Sequence, residues 1–187
     1  MNKLEDGSII YHGSCRVVDK IELSKCYQGK DFGRGFYLTT SYEQARKFVR
    51  LSVKNAVNLG TLKEARKFGY INAYRLHMRK IINEYDFQSA DVDWLHFVAG
   101  NRDRRLFSDL ITKFEKYNVV GGKIANDRTA ATLSQYINGI FGIPGDETAD
   151  DIAIRLLLPN RLEDQYCFRS EEAIECLQFL NAEEVLL

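Results

Sequence analysis

The sequence predicts an α+β domain, a mixed sheet with helices set between its strands. Three observations carry that expectation. β-branched and aromatic runs cluster at both ends of the chain and in its middle, at 8–12, 35–39, 70–76 and 164–168. Segments of helical periodicity lie between them, without the strict alternation that a parallel βαβ sheet requires. No stretch recurs at a period of roughly 20–50 residues, which excludes a repeat architecture.

Composition bounds the rest. The 187 residues are read as one domain, 1–187, because domains typically hold about 100–200 residues. Hydrophobic residues at 45%, with only 2 prolines and 13 glycines, exclude a disordered or linker-like chain. The 26 Lys+Arg balance the 26 Asp+Glu. A net charge of zero argues against holding nucleic acid mainly by neutralising phosphates, yet it allows a local basic cleft. No apolar run approaches the ~20 residues that cross a bilayer. The opening Met1–Asp6 carries acids where a secretory leader is cationic and then apolar. The expected location is cytoplasmic, with no membrane partner. Cys15, Cys26, Cys167 and Cys176 form no CxxC pair, and His12, His77 and His96 are scattered. Reduced thiols and no metal are therefore expected.

The elements follow in order. Ser8–His12 reads as a strand ended by Gly13-Ser14 as a turn, and 15–34 as a loop. Gly35–Thr39 is the second strand. Thr40 or Ser41 caps the first helix, with Gln44 completing a capping box and Ala45, Phe48, Val49, Leu51 and Val53 its apolar positions. A helical turn is expected over 61–68, ending at Gly69, then strands at 70–76 and 82–87. Asp91 caps a helix in which Trp94, Phe97 and Val98 recur at helical spacing. Residues 101–105 read as a charged turn, 107–116 as an amphipathic helix, and 117–120 as a strand ended by Gly121-Gly122. Helices follow at 129–141 and 148–158, the latter stopped by Pro159. A strand at 164–168, a short helix from Ser170 and one or two closing strands from Cys176 complete the chain.

Two segments carry the chemistry: Tyr11-His12-Gly13-Ser14 and Asp31-Phe32-Gly33-Arg34-Gly35-Phe36-Tyr37-Leu38-Thr39. The first sets a histidine at a strand end beside a glycine that permits close backbone approach. The second sets Gly-x-Gly before an aromatic strand. Each alone is equally well a packing feature: a core histidine and a core tyrosine.

Together they resemble the nicotinamide-pocket motifs of the ADP-ribosyltransferase superfamily, in the branch of diphtheria toxin and the poly(ADP-ribose) polymerases. The matching residues are His12-Gly13-Ser14, then Gly33-Arg34-Gly35-Phe36-Tyr37-Leu38, then Ala45-Arg46-Lys47-Phe48. The run Asp31–Thr40, with Ile124–Asp127 and Gln165–Phe168, is similar to a bacterial family of uncharacterised ADP-ribosyltransferase-like domains. The resemblance implies a split β-sheet with a helical insertion at about 90–160. It implies NAD+ as substrate and a macromolecular acceptor, protein favoured over nucleic acid. It is compatible with a toxin or effector held by an antitoxin or other regulator.

The resemblance also assigns roles. The backbone of Gly13 would hold the nicotinamide carboxamide, with Ser14 nearby, and Tyr37 and Phe48 would sandwich the ring. His12 would bond a hydroxyl of the adenosine ribose, and Arg34 would contribute to cofactor binding. The branch usually places a glutamate on a late strand, where this chain has Gln165. An amide orients a hydroxyl but neither takes a proton nor offsets developing positive charge. Transfer of a single ADP-ribose unit is therefore expected, and the alternative is a catalytically impaired NAD-binding or interaction module. Glu163 is a substitute carboxylate or a solvated strand end. The cluster Asn101–Arg105 binds pyrophosphate or simply faces water. Asp91 and Asp93 are explained by a helix N-terminus, and Gly29–Gly35 precedes a strand, unlike a dinucleotide fingerprint.

Overall fold

The computed structural model describes residues 4–64, 66–78, 82–124, 127–157 and 163–187. Seven strands build two sheets. In the first, β1 (Ile9–Ser14), β3 (Phe68–Leu76) and β7 (Leu177–Leu186) run antiparallel in the order β1-β3-β7. In the second the order is β2 (Phe36–Leu38), β6 (Asp164–Phe168), β5 (Val119–Lys123), β4 (Glu84–Asp86), antiparallel except for the β4/β5 pair. Among the described residues one isolated bridge, Tyr11↔Thr39, joins them. The chain is thus α+β, with its strands divided between two sheets.

Side-chain alternation sorts the core into layers. Ile10, Tyr74 and Leu76 of the first sheet meet Phe36, Leu38, Val119, Tyr166 and Phe168 of the second. On the outer face of the first sheet, Ile71 and Val185 pack on Ala45 and Val49 of α1 (Tyr42–Asn58). The other face of the second sheet, with Val120 and Cys167, meets α2 (Val92–Arg102), α3 (Ser108–Phe114), α4 (Asp127–Ile137) and α5 (Glu147–Leu157). The order of layers is α1, first sheet, second sheet, helices. A bulge opposite Ala73/Tyr74 makes β7 change face, so that Phe179 points to the central layer and Val185 to α1.

Local signals placed the helix starts well. Ser41 Oγ accepts from Gln44 N–H (3.2 Å), Asp91 Oδ1 from Trp94 N–H (3.0 Å), and Ser170 Oγ from Ala173 N–H (3.2 Å) at α6 (Glu171–Ile174). The Ser41 capping box is half closed, because Gln44 Oε1 takes the Thr39 hydroxyl instead (2.7 Å).

Glycines misled the strand ends. Gly13-Ser14 is the end of β1 rather than a turn, paired with Ile71 and Tyr70. Gly69 lies inside β3, and no helix forms among the described residues of 61–68 before β3 begins at Phe68. A Cβ on Gly69 would stand 2.3 Å from Val49 Cγ1, so its glycine serves the seating of α1. Gly121-Gly122 continue β5 beneath the rings of Tyr166 and Phe32. That strand lies within 90–160, so the segment is not a purely helical insertion: it supplies an inner strand of the second sheet. The closing segment forms one long strand. Beyond its exposed first turn, helix α2 is largely buried, with Trp94, Leu95, Phe97, Val98 and Ala99 inaccessible. It also takes in Asn101 and Arg102, which were expected in a turn. Residues 125–126 of the Ile124–Asp127 run, and Leu158-Pro159, lie outside the described residues.

Candidate functional site at the seam of the two sheets

The seam between β1 and β2 is held by Tyr11 N–H to Thr39 O (2.8 Å) and Thr39 N–H to Tyr11 O (3.0 Å). In the antiparallel register of that bridge, Gly13 would next face Tyr37. The ladder does not continue, because the Tyr37 carbonyl accepts instead from His12 Nδ1 at 2.8 Å. Since amide polarity alternates along a strand, the N–H and C=O of Gly13 point, like those of Tyr11, toward the seam and away from β3. A histidine side chain thus takes the place of the ladder's next rung, and buried Gly13 keeps its N–H and C=O on the seam side of β1.

The bond to a carbonyl fixes the imidazole tautomer: Nδ1 carries the hydrogen and Nε2 keeps its lone pair. The ring lies 4.4 Å from that of Phe36. Burial, only partly offset by the bond to Tyr37, pushes the His12 pKa down from 6.5 to about 4. Neutral His12 therefore offers Nε2 as an acceptor at physiological pH. Nitrogen-detected NMR is expected to show a protonated Nδ1 and a bare Nε2 titrating near 4. Between about 6.5 and about 4 the unfolded chain binds the proton more readily, so this residue lowers stability as pH falls through that window. A histidine titrating near its ordinary value overturns the assignment.

Tyr37 sits half-buried on the opposite, helix-facing side of β2. Its hydroxyl donates to Gly33 O (2.7 Å) and accepts from Phe32 N–H (3.0 Å). Burial, with the neighbouring Cys167 and Asp31, holds its pKa well above the ordinary value. The phenol is a clamp on the 31–34 turn and a ring platform, with no proton to exchange near neutral pH. Gln165 is its diagonal neighbour: Tyr37 pairs with Cys167, and Gln165 lies two residues away on the same face.

The Gln165 side chain is not open to the cleft on its amide-nitrogen side. Nε2 donates to Asp31 Oδ2 (3.2 Å), and Asp31 Oδ1 receives Arg102 Nε (2.9 Å) and Nη2 (2.6 Å). A carboxylate only accepts, so the amide must turn its nitrogen to Asp31 and its Oε1 elsewhere. Asp31 is buried (7% exposed), and Phe32 beside it has no exposure, packing on Tyr37, Phe87 and Phe97. Loop, late strand and helix α2 are thereby locked together under Tyr37. The pairing of Asp31 with Arg102 is not readable in the sequence: Asp31 stands inside the quoted motif without a role, and Arg102 belongs to the cluster expected to bind pyrophosphate or face water. Arg105 alone of that cluster pairs within it, with Asp103 (2.6 Å).

The other expected residues are distributed as follows. Ser14 is buried and its Oγ accepts from Arg16 N–H (3.3 Å). Phe48 is 37% exposed on α1, and its neighbour Lys47 reaches Glu163 (2.9 Å), a surface ion pair spanning from α1 to the approach of β6. Glu163 is therefore paired rather than simply solvated. The seating of α1 requires glycine at position 13: a Cβ there would lie 2.1 Å from Ala45 O. Gly35 likewise admits Cys167 Sγ (2.4 Å) and Phe168 O (2.6 Å). Arg34 points away from the seam, donating through Nε and Nη2 to Leu23 O (3.1 and 2.9 Å). None of the four cysteines is joined in a disulfide. Among the described residues no helix is long and apolar enough to cross a membrane.

Residues 8–179 match the family described as Protein of unknown function (DUF3990), and the chain belongs to it. No curated protein and no solved structure matches.

Proposed function

We propose that this chain transfers ADP-ribose from NAD+ to a macromolecular acceptor, protein rather than nucleic acid, on a scaffold of the ADP-ribosyltransferase kind. The observation that carries the reading is the seam itself. His12 breaks the β1/β2 ladder by taking the Tyr37 carbonyl, which leaves the amide groups of buried Gly13 facing the seam, beside a neutral imidazole. Those are the donors and acceptors that a carboxamide and a ribose hydroxyl require. The division of the strands into two sheets, joined by the Tyr11↔Thr39 bridge, supports the same scaffold.

In this reading the Gly13 N–H and C=O hold the nicotinamide carboxamide, and Ser14 backs that strand end. Tyr37 and Phe48 flank the nicotinamide ring, and Nε2 of His12 accepts a hydroxyl of the adenosine ribose. Gln165 Oε1 accepts a hydroxyl of the nicotinamide ribose. The C1–N bond of that ribose breaks and nicotinamide leaves with the electron pair. A nucleophile of the acceptor then bonds to C1 and loses its proton to water. Catalysis is mostly positioning in a dry site. Asp31 brings a carboxylate to the place where the chain has an amide on the strand, its charge partly balanced by Arg102.

Labelled NAD+ with cell lysate tests the reading. The wild-type protein is expected to label macromolecules, and His12→Ala and Tyr37→Ala to label them roughly a hundredfold less. Tyr37→Phe, which keeps the platform, retains transfer. The engagement of Gln165 by Asp31 favours a second reading, a module that binds NAD+ without transferring it. That reading stands if nicotinamide release is nil while NAD+ still raises the melting temperature. A melting temperature unmoved by millimolar NAD+ overturns both.

A further inference from the structure

Beyond the seam, a second concavity of about 480 Å³ opens on the other side of the Gly33–Arg34 turn. Its lining includes Arg34, Arg104 and Arg169 together with Asn101, Tyr117 and the acids Glu115 and Glu171. It contains none of His12, Tyr37 or Gln165. The volume falls within the ~300–1,000 Å³ typical of small-molecule sites.

Three arginines from three separate parts of the fold line it: Arg34 in the loop before β2, Arg104 just after α2 and Arg169 just after β6. Two are braced. Arg34 gives Nε and Nη2 to Leu23 O, which leaves Nη1 for a ligand. Arg169 gives Nη1 to Phe114 O at 3.1 Å, which leaves Nε and Nη2. Bracing removes rotamer entropy before any ligand arrives, so less is lost on binding. The planar, fixed donors match the oxygens of a phosphoryl group, which guanidinium contacts in bidentate fashion. The two carboxylates oppose a bare anion and suit a ligand that carries hydroxyl groups beside its phosphate.

We infer that this cleft is a phosphate-binding site, separate from the seam, that takes a phosphate ester of nucleotide size. Its charge is local, three positive groups against two negative, so it coexists with a chain of zero net charge. Because Gly33 O accepts the Tyr37 hydroxyl, an occupant is one residue from the platform of the seam.

Calorimetric titration with pyrophosphate and, separately, with AMP tests the inference on the full chain. AMP is expected to bind, and more tightly than pyrophosphate, with affinity falling as salt rises. Arg104→Ala, at an exposed position, weakens it about tenfold or more, the equivalent of one lost charge-assisted contact. Arg169→Lys, which keeps charge but loses the fork, also weakens it, whereas Arg46→Ala on α1 leaves it unchanged. No binding of either probe at millimolar concentration overturns the site, as does affinity indifferent to Arg104→Ala and Arg169→Lys. NAD+ binding that is lost in Arg104→Ala also overturns it, by merging the cleft with the seam. Transfer activity is not read, so failure of the proposed reaction and failure of this site remain distinct.

Discussion

Asp31→Ala is expected to destabilise the fold by about 3 kcal/mol, the scale of breaking a buried ion pair from one side. The change leaves Arg102, with 22% of its side chain exposed, without the carboxylate that receives two of its donors. It also strips the Gln165 amide nitrogen of its acceptor. The midpoint of urea denaturation reads the loss, and a shift worth less than about 0.5 kcal/mol overturns the account. Gln165→Glu extends the test. A carboxylate placed at this position would stand within hydrogen-bond distance of Asp31. Two carboxylates so placed cannot both ionise without cost, so the folded pair holds a proton that the unfolded chain releases. The deficit of Gln165→Glu should therefore grow from about pH 5 to about pH 8. Asp31→Asn combined with Gln165→Glu exchanges donor and acceptor and should recover most of it. In the transfer assay Gln165→Glu alone is expected to bring no gain, and a gain would show that Asp31 does not govern this position.

Gly13→Ala should be still more damaging. The new Cβ would meet a backbone oxygen, Ala45 O, at 2.1 Å, with Ala45 C and Val49 N at 3.1 Å. None of these atoms can swing aside as a side-chain end would, so α1 must lift from the first sheet and surrender the packing of Ala45 and Val49 on Ile71 and Val185. A loss of several kcal/mol, or failure to accumulate as folded protein, is expected. Gly7→Ala is the control. Its left-handed backbone (φ +80°) makes alanine costly by about 1 kcal/mol, but no atom lies within 4 Å. Equal effects at the two positions in chemical denaturation would refute the steric account.

Much of the scaffold was legible locally. Ser41, Asp91 and Ser170 cap helices because a short oxygen-bearing side chain followed by an apolar period specifies a helix start without tertiary help. The strands at 70–76 and 164–168 were equally clear, the first from its aromatic and β-branched alternation and the second from Tyr166 and Phe168. Glycine was ambiguous. At Gly13, Gly69 and Gly121 the residue marks where another element presses on a strand, and that pressure comes from residues far along the chain.

The candidate site divides in the same way. His12, Tyr37 and Gln165 could be named from motif alone, but not the bond from His12 to the Tyr37 carbonyl that interrupts a ladder. Nor could Asp31 and Arg102 be joined, 71 positions apart, or Arg34 be sent to a different cleft from Tyr37. Sequence by itself determined a mixed α+β chain with balanced charge and two short motifs, at His12–Ser14 and Asp31–Thr39, set on neighbouring strands. Tertiary structure alone decided which carboxylate stands beside Gln165 and where the arginines gather. The reason is physical: caps and periodicities act within a few residues, whereas ion pairs, tautomers and steric need arise only where distant segments meet.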